Sequence, residues 1–175
     1  MIVMSISGDE NIGASLTIST SNQTKTEPTQ TETDSCVPDP RKIVYEWARL
    51  WSAHDVNGLM ALFTEDATYE DLAIGHSVHG RKELENFVRG TFKTFPDFRI
   101  EIRHAVGDQT MAAGEWEMSG TFSSESFGQA PTGKQFRVPG CCVMHLIDGR
   151  IATHWDYWNE PTFDRQVKAT PSDAQ

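Results

Sequence analysis

The stretch GRIATHWDYWNEP, residues 149–161, predicts the last strand of an antiparallel sheet. It follows Asp148-Gly149, a residue pair typical of hairpin turns. Side chains alternate along a strand, which places three of them on one face: His154, Asp156 and Trp158. The other face carries Thr153, Trp155 and Tyr157, and we expect both faces to be covered. A carboxyl group between an imidazole and an indole is costly to desolvate, so we expect a displaced pKa for Asp156.

The segments before this strand predict the rest of the sheet. Alternation with period two indicates three further strands of an antiparallel meander: residues 98–106, 110–122 and 134–147. Pro139-Gly140 predicts a bulge or bend inside the last of them. Residues 67–72 read as a shorter strand, and residues 73–80 as a glycine-containing loop.

Three helices are predicted ahead of the meander. Asp39 is a suitable N-cap for the first, with Pro40 at its first position and its end near His54. Asp55 can cap a short second helix, and a third covers residues 81–95. Helices followed by strands predict an α+β domain, in which the helices cover one sheet face and leave a pocket between the layers.

Length and composition narrow the classes of function. A chain of 175 residues is expected to form one domain, and its net charge of −10 disfavours nucleic acid and anionic membranes as partners. Three cysteines give no disulfide framework, which favours a reducing compartment. No apolar run reaches the roughly 20 residues of a membrane span, and the N-terminus has no basic segment typical of a secretory signal. We therefore expect a soluble, cytoplasmic protein.

The two ends of the chain are predicted to lie outside this domain, which we place at residues 38–168. Of the 22 residues from Ala14 to Ser35, 11 are Ser or Thr, and no aromatic residue precedes Tyr45. Such a composition buries too little to offset its ordering entropy, so residues 1–37 are predicted to be disordered. Residues 169–175 are predicted to be a flexible C-terminus.

Five motifs resemble the SnoaL-like polyketide cyclases: WSAHDVNGLMALFTEDATYED (51–71), HGRKELENFVRGTFKTFPDF (79–98), PTGKQF (131–136), LIDGRIATHWDYWN (146–159) and FDRQ (163–166). That family belongs to the superfamily of nuclear transport factor two, ketosteroid isomerase and limonene epoxide hydrolase. The resemblance implies a cone-shaped, curved, antiparallel or mixed sheet of about four to six strands packed against three N-terminal helices. It leaves the reaction and the substrate open, because the fold hosts enzymes, binders and adaptors.

The resemblance assigns roles to particular positions. The isomerase base corresponds to Asp71, while the two isomerase oxyanion donors correspond to Trp47 and a position near Cys142, so that constellation is broken. The cyclases and epoxide hydrolases use an aspartate on the last strand, which corresponds to Asp156. The histidine that partners it in the cyclases would again fall near Cys142, and a family aspartate just beyond the strand is replaced by Asn159.

Three residues are therefore candidates for catalysis, each with a structural alternative. Asp156 is either a general acid or base, or a strand residue that lies on a solvated face or is bonded to a Trp or Tyr for structure. His154 either orients substrate and shares a proton with Asp156, or forms a pocket wall; residues i and i+2 are expected to lie too far apart for a secure hydrogen bond. Asp71 either assists, or is a loop or cap residue.

Aromatic and apolar residues predict either a ligand cavity or ordinary core packing. The strand pattern and the family resemblance together give six residues that are expected to line the cavity: Trp47, Phe63, Trp116, Met118, Cys142 and Trp158. Phe87 is a further candidate. Five Trp in a small domain favour a cavity for a flat, apolar ligand. His76 and His79 lack the ligand set of a zinc site, so we expect no metal. Burial as a small apolar pair is the favoured role of Cys141-Cys142.

Two hypotheses of function follow. The first is a cofactor-independent enzyme that transfers protons on a hydrophobic, carbonyl-containing small molecule, in an aldol-type cyclisation, an isomerisation or a lyase step. The second is a non-catalytic module of the same fold, which binds a small molecule or serves dimerisation. The resemblance also implies a homodimer.

Overall fold

The computed structural model describes residues 39–125 and 130–168, so the predicted disorder of residues 1–37 and 169–175 lies outside the described residues. This part of the chain forms four helices: α1 (Arg41–Ser52), α2 (Val56–Leu62), α3 (Arg81–Thr94) and α4 (Glu160–Val167). It also forms six strands: β1 (Phe63–Asp71), β2 (His76–His79), β3 (Arg99–Gly107), β4 (Met111–Thr121), β5 (Gln135–Ile147) and β6 (Arg150–Trp158). The α+β class is confirmed.

All six described strands join in one sheet, in the order β2-β1-β6-β5-β4-β3. The predicted antiparallel meander is confirmed from β3 to β6. At the other side of β6, β1 pairs in parallel, which places Asp71 opposite Asp156. The sheet is therefore mixed and open, and its one parallel pairing joins two strands that are distant in sequence.

The start of α1 differs from the prediction by one residue. Pro40, not Asp39, occupies the N-cap position and offers no side-chain cap. The Asp39 carboxylate still accepts a hydrogen bond from the Arg41 backbone N–H at 3.0 Å, and it also binds the Arg41 guanidinium. At α2 the predicted cap is confirmed, because the Gly58 N–H donates to Asp55 Oδ1 at 2.9 Å.

Residues 73–80 were predicted to form a loop. The prediction is wrong, because this segment contains the strand β2. β2 pairs antiparallel with β1, with Tyr69 opposite Val78. Only Val78 of its four residues is buried, so this edge strand carries no alternation that a sequence pattern could reveal. β1 itself begins at Phe63, four residues before the predicted start.

The predicted bulge at Pro139-Gly140 is wrong as well. β4 and β5 keep an unbroken register there, with Glu117 opposite Pro139 and Trp116 opposite Gly140. A Cβ atom at Gly140 would lie 2.3 Å from the Trp116 ring, so the glycine provides space for that indole. The register instead shifts at other places, among them the β5–β6 pairing between His145 and Leu146.

Helices cover one face of the sheet and enclose the core. α1 packs on β3 and β4, α3 on β1 and β2, and α4 on β5. The short helix α4 was not predicted; Asn159 caps it by accepting from the Thr162 N–H at 2.9 Å. Its buried residues Phe163 and Val167 extend the core beyond the end of β6.

Candidate active site

The inner face of β6 carries the side chains that alternation placed there. His154 is fully buried and Asp156 is 5% exposed. On the outer face Tyr157 is 44% exposed, so the expectation that both faces are covered is wrong at that residue. One side of the strand thus carries two polar groups into the core.

The Asp156 carboxylate accepts a hydrogen bond on each oxygen. His154 Nε2 lies 2.8 Å from Oδ1, and the Tyr69 hydroxyl donates to Oδ2. The expectation that residues i and i+2 are too far apart was wrong, because both side chains leave the same face and the imidazole spans the gap. An ionised Asp156 requires the hydrogen of His154 to reside on Nε2, and His154 Nδ1 has no partner among the described residues.

Tyr69 is a site residue that sequence reasoning missed. It is 3% exposed, and its ring stacks on the His154 imidazole with centroids 4.6 Å apart and planes within 4°. Burial, followed by the negative charge of Asp156, raises the pKa of its hydroxyl, so that it remains a donor. Tyr69 lies two residues before Asp71, so strand alternation places both side chains on the same face of β1. This alternation is the sequence signal that could have identified Tyr69.

Asp71 lies beside Asp156 on the neighbouring strand and is 7% exposed. Its Oδ1 accepts a hydrogen bond from Trp158 Nε1 at 2.9 Å. Burial, reinforced by the negative charge of Asp156, raises the pKa of Asp71 to about 6, against the opposing effect of the bond from Trp158. The Asp71 carboxyl group therefore changes between its protonated and ionised forms near neutral pH.

Both carboxyl groups line a cavity between the helices and the sheet. The space between its lining atoms is about 620 Å³, a figure that includes open solvent. Its walls are mainly aromatic, and four indoles contribute: Trp47, Trp51, Trp116 and Trp158. Among the described residues that line it, Asp71 and Asp156 are the only acids, and there is no Lys, Arg or His.

The candidate lining residues divide into two groups. Trp47, Trp116, Met118 and Trp158 lie in the cavity wall. Phe63 and Cys142 do not, since both are buried behind it. Phe63 contacts the rings of Tyr69 and His154, at centroid distances of 6.4 and 6.2 Å, and Cys142 lies opposite Asp156 in the β5–β6 register.

One cluster within the described residues has the composition of a metal site. Atoms of Cys142, His154 and Asp156 that could ligate lie within 4.8 Å of one another. However, both Asp156 oxygens already accept hydrogen bonds, and burial raises the pKa of the Cys142 thiol, which disfavours the thiolate that binds metal. The cluster fits a buried hydrogen-bond network better than a metal centre. His76 lies apart from it on β2, where its ring stacks on Phe87.

The described helices include none with the length and apolar character needed to cross a membrane.

Comparison with known proteins identifies the family. The model of the SnoaL-like polyketide cyclases matches residues 41–167, and the chain therefore belongs to that family. No curated protein matches the chain in sequence.

Solved structures agree on the fold. A protein with a ketosteroid isomerase-like fold from Catenulispora acidiphila, in complex with trimethylamine, is 24% identical; the match covers 79% of this chain and 99% of that one, with a TM-score of 0.66. IdmH from Streptomyces antibioticus, a proposed polyketide cyclase, is 23% identical over 74% and 98%, with a TM-score of 0.65. A proposed SnoaL-like cyclase from Jannaschia is 15% identical over 75% and 93%, with a TM-score of 0.68.

Proposed function

We propose that this protein is a cofactor-independent enzyme that moves protons on a hydrophobic, carbonyl-containing small molecule. The reaction class is an aldol-type cyclisation, an isomerisation or a lyase step. The observation that carries the proposal is the pair of buried carboxyl groups, Asp71 and Asp156, in the wall of an aromatic cavity. Membership of the SnoaL-like family supports it.

Asp156 is the proton acceptor in this proposal. Hydrogen bonds from Tyr69 and His154 fix the orientation of its carboxylate. It takes a proton from the carbon beside the substrate carbonyl, and the electron pair of the broken C–H bond forms an enolate. In an aldol step that enolate attacks a second carbonyl carbon, and the resulting alkoxide takes the proton back from Asp156.

Asp71 assists through its charge. When Asp71 is ionised, its negative charge favours the arrival of a proton at the neighbouring Asp156, because like charges repel in a buried site. The pKa of Asp71, about 6, makes this effect depend on pH near neutrality. Proton transfer by such a positioned carboxylate contributes about 10²- to 10⁴-fold to a rate.

Exchange of the methyl protons of acetophenone in D₂O, followed by NMR, tests the proposal without knowledge of the natural substrate. The wild-type protein is expected to accelerate exchange, Asp156→Asn to abolish the acceleration, and Asp71→Asn to reduce it. Asp66→Asn is the matched control, because Asp66 is exposed on the same strand as Asp71. Exchange by folded Asp156→Asn at the wild-type rate would contradict the role of Asp156.

The second candidate is a non-catalytic binding module. The specific observation in its favour is that both Asp156 oxygens are already bonded within the core, as expected of a structural carboxylate. Retention of a small molecule through purification, with no exchange of acetophenone and no turnover of the retained molecule, would favour this candidate over the enzyme.

We also propose that the protein is a cytoplasmic homodimer. The outer sheet face presents exposed Tyr157 beside half-buried Trp155, which is apolar area that a second copy would cover. Light scattering of the full chain is expected to give twice the chain mass, and the mass of a single chain would exclude the dimer.

A further inference from the structure

The charge of the cavity wall restricts what it can hold. Asp71 and Asp156 are both more than nine-tenths buried, and the described lining residues include no Lys, Arg or His. Among the described residues, His154 is the one basic side chain bonded to the pair; it lies behind the wall and reaches Asp156 alone. Even with His154 protonated, an ionised pair leaves a net negative charge on two buried carboxyl groups.

The walls suit a cation as well. Aromatic faces attract ammonium groups through their negative quadrupole, and the attraction is stronger where water is excluded. Four indoles and several phenyl rings surround the two carboxyl groups. An anionic ligand would meet repulsion from the carboxylates and from the ring faces together.

A second, independent observation concerns unused donors. The indole N–H groups of Trp47 and Trp51 are buried, and no acceptor for either exists among the described residues. Both side chains line the cavity. A buried donor without a partner is costly, so a ligand oxygen that reached either N–H group would be stabilised there.

We propose that the cavity takes an amine-bearing carbonyl compound, with its ammonium group against Asp71 and its oxygen bonded to the indole N–H of Trp47 or Trp51. This inference deepens the proposed function by naming the substrate class; it rests on that proposal for the carbonyl group, and on the cavity alone for the amine.

The amine is tested with three probes that share a phenyl body and differ in charge: protonated phenethylamine, phenethyl alcohol and hydrocinnamate. Calorimetry of the full chain at pH 7.5 is expected to show about tenfold or more tighter binding of the amine than of the alcohol, with the anion weakest. Asp71→Asn should reduce the preference several-fold, while Asp66→Asn keeps it. Equal binding of all three, preference for the anion, or no binding of any would overturn the inference.

The oxygen is tested with acetophenone and ethylbenzene. Wild type should bind the ketone more tightly than the hydrocarbon, and Trp51→Phe or Trp47→Phe should remove that difference. A ketone preference that persists in folded Trp51→Phe and in Trp47→Phe would refute the role of the indoles.

Failure of this inference and failure of the proposed function give different results. Amine preference without proton exchange on acetophenone leaves the ligand class standing and removes the chemistry. Proton exchange on acetophenone without any preference for the amine leaves the proposed chemistry standing and removes the ligand class.

Discussion

Asp71 and Asp156 lie opposite each other on the parallel strands β1 and β6, and both are more than nine-tenths buried. Tyr69 and His154 donate to one of them, and Trp158 to the other. Burial, followed by the negative charge of Asp156, raises the pKa of Asp71. The stability of the protein and its proposed activity therefore both depend on this pair.

Asp71→Asn should stabilise the protein at neutral pH. The pKa of Asp71 is about 6 in the folded protein against a reference of 3.8, so the folded state binds the proton more tightly than the unfolded state. The stabilisation that proton binding at Asp71 provides is present below pH about 4 and is lost as the pH rises through about 6. The free energy of unfolding of wild type should fall across that window by up to about 3 kcal/mol more than that of the variant. Urea titrations at several pH values measure this, and parallel curves for the two proteins would contradict it.

Trp158→Phe should shift the pH dependence of catalysis upward. The indole N–H lowers the pKa of Asp71, so its removal raises that pKa further above about 6. Because an ionised Asp71 favours proton uptake by Asp156, the rise of the acetophenone exchange rate with pH should move to higher pH. Trp155→Phe, on the outer face of the same strand, serves as control. Coincident pH profiles for wild type and Trp158→Phe would show that this hydrogen bond does not tune the site.

Tyr69→Phe should weaken both folding and catalysis. It deletes the hydroxyl that donates to Asp156 while keeping the ring stacked on His154. A buried hydrogen bond to a charged acceptor stabilises by about 1.5–3 kcal/mol, and the urea midpoint should fall accordingly. Tyr45→Phe changes an exposed ring and should have no such effect. If Tyr69→Phe kept both the midpoint and the exchange rate, Asp156 would not depend on this donor.

Gly140→Ala should destabilise the fold by about 1–3 kcal/mol, as overpacking of a core does. Its Cβ would lie 2.3 Å from the Trp116 ring, which forms part of the cavity wall, so ligand binding should weaken too. Gly90→Ala in α3 is the matched control: its Cβ meets nothing within 4 Å, and alanine favours helix, so that variant should be slightly more stable. Thermal unfolding of both variants checks the pair, and an unchanged melting temperature for Gly140→Ala would contradict the contact.

Local patterns in the sequence were sufficient for much of the fold. Alternation placed His154 and Asp156 on the inner face of β6, and Asp55 was recognised as the cap of α2. Each of these features depends on neighbours within a few residues, whose geometry a strand or helix repeats. Where only one residue is buried, as in β2, no pattern exists, and the strand was missed.

The order of residues along the chain is enough to assign chemical groups to individual elements: a carboxyl group and an imidazole to β6, a second carboxyl group to β1, and many indoles. The assembly of these groups into one site depends on the tertiary fold. The parallel pairing of β1 with β6 places Asp71 beside Asp156 and brings the Tyr69 hydroxyl onto that carboxylate. No local pattern specifies which strand β1 joins, because that choice depends on contacts between segments distant in the chain, and the shared burial of the two carboxyl groups arises only once they meet.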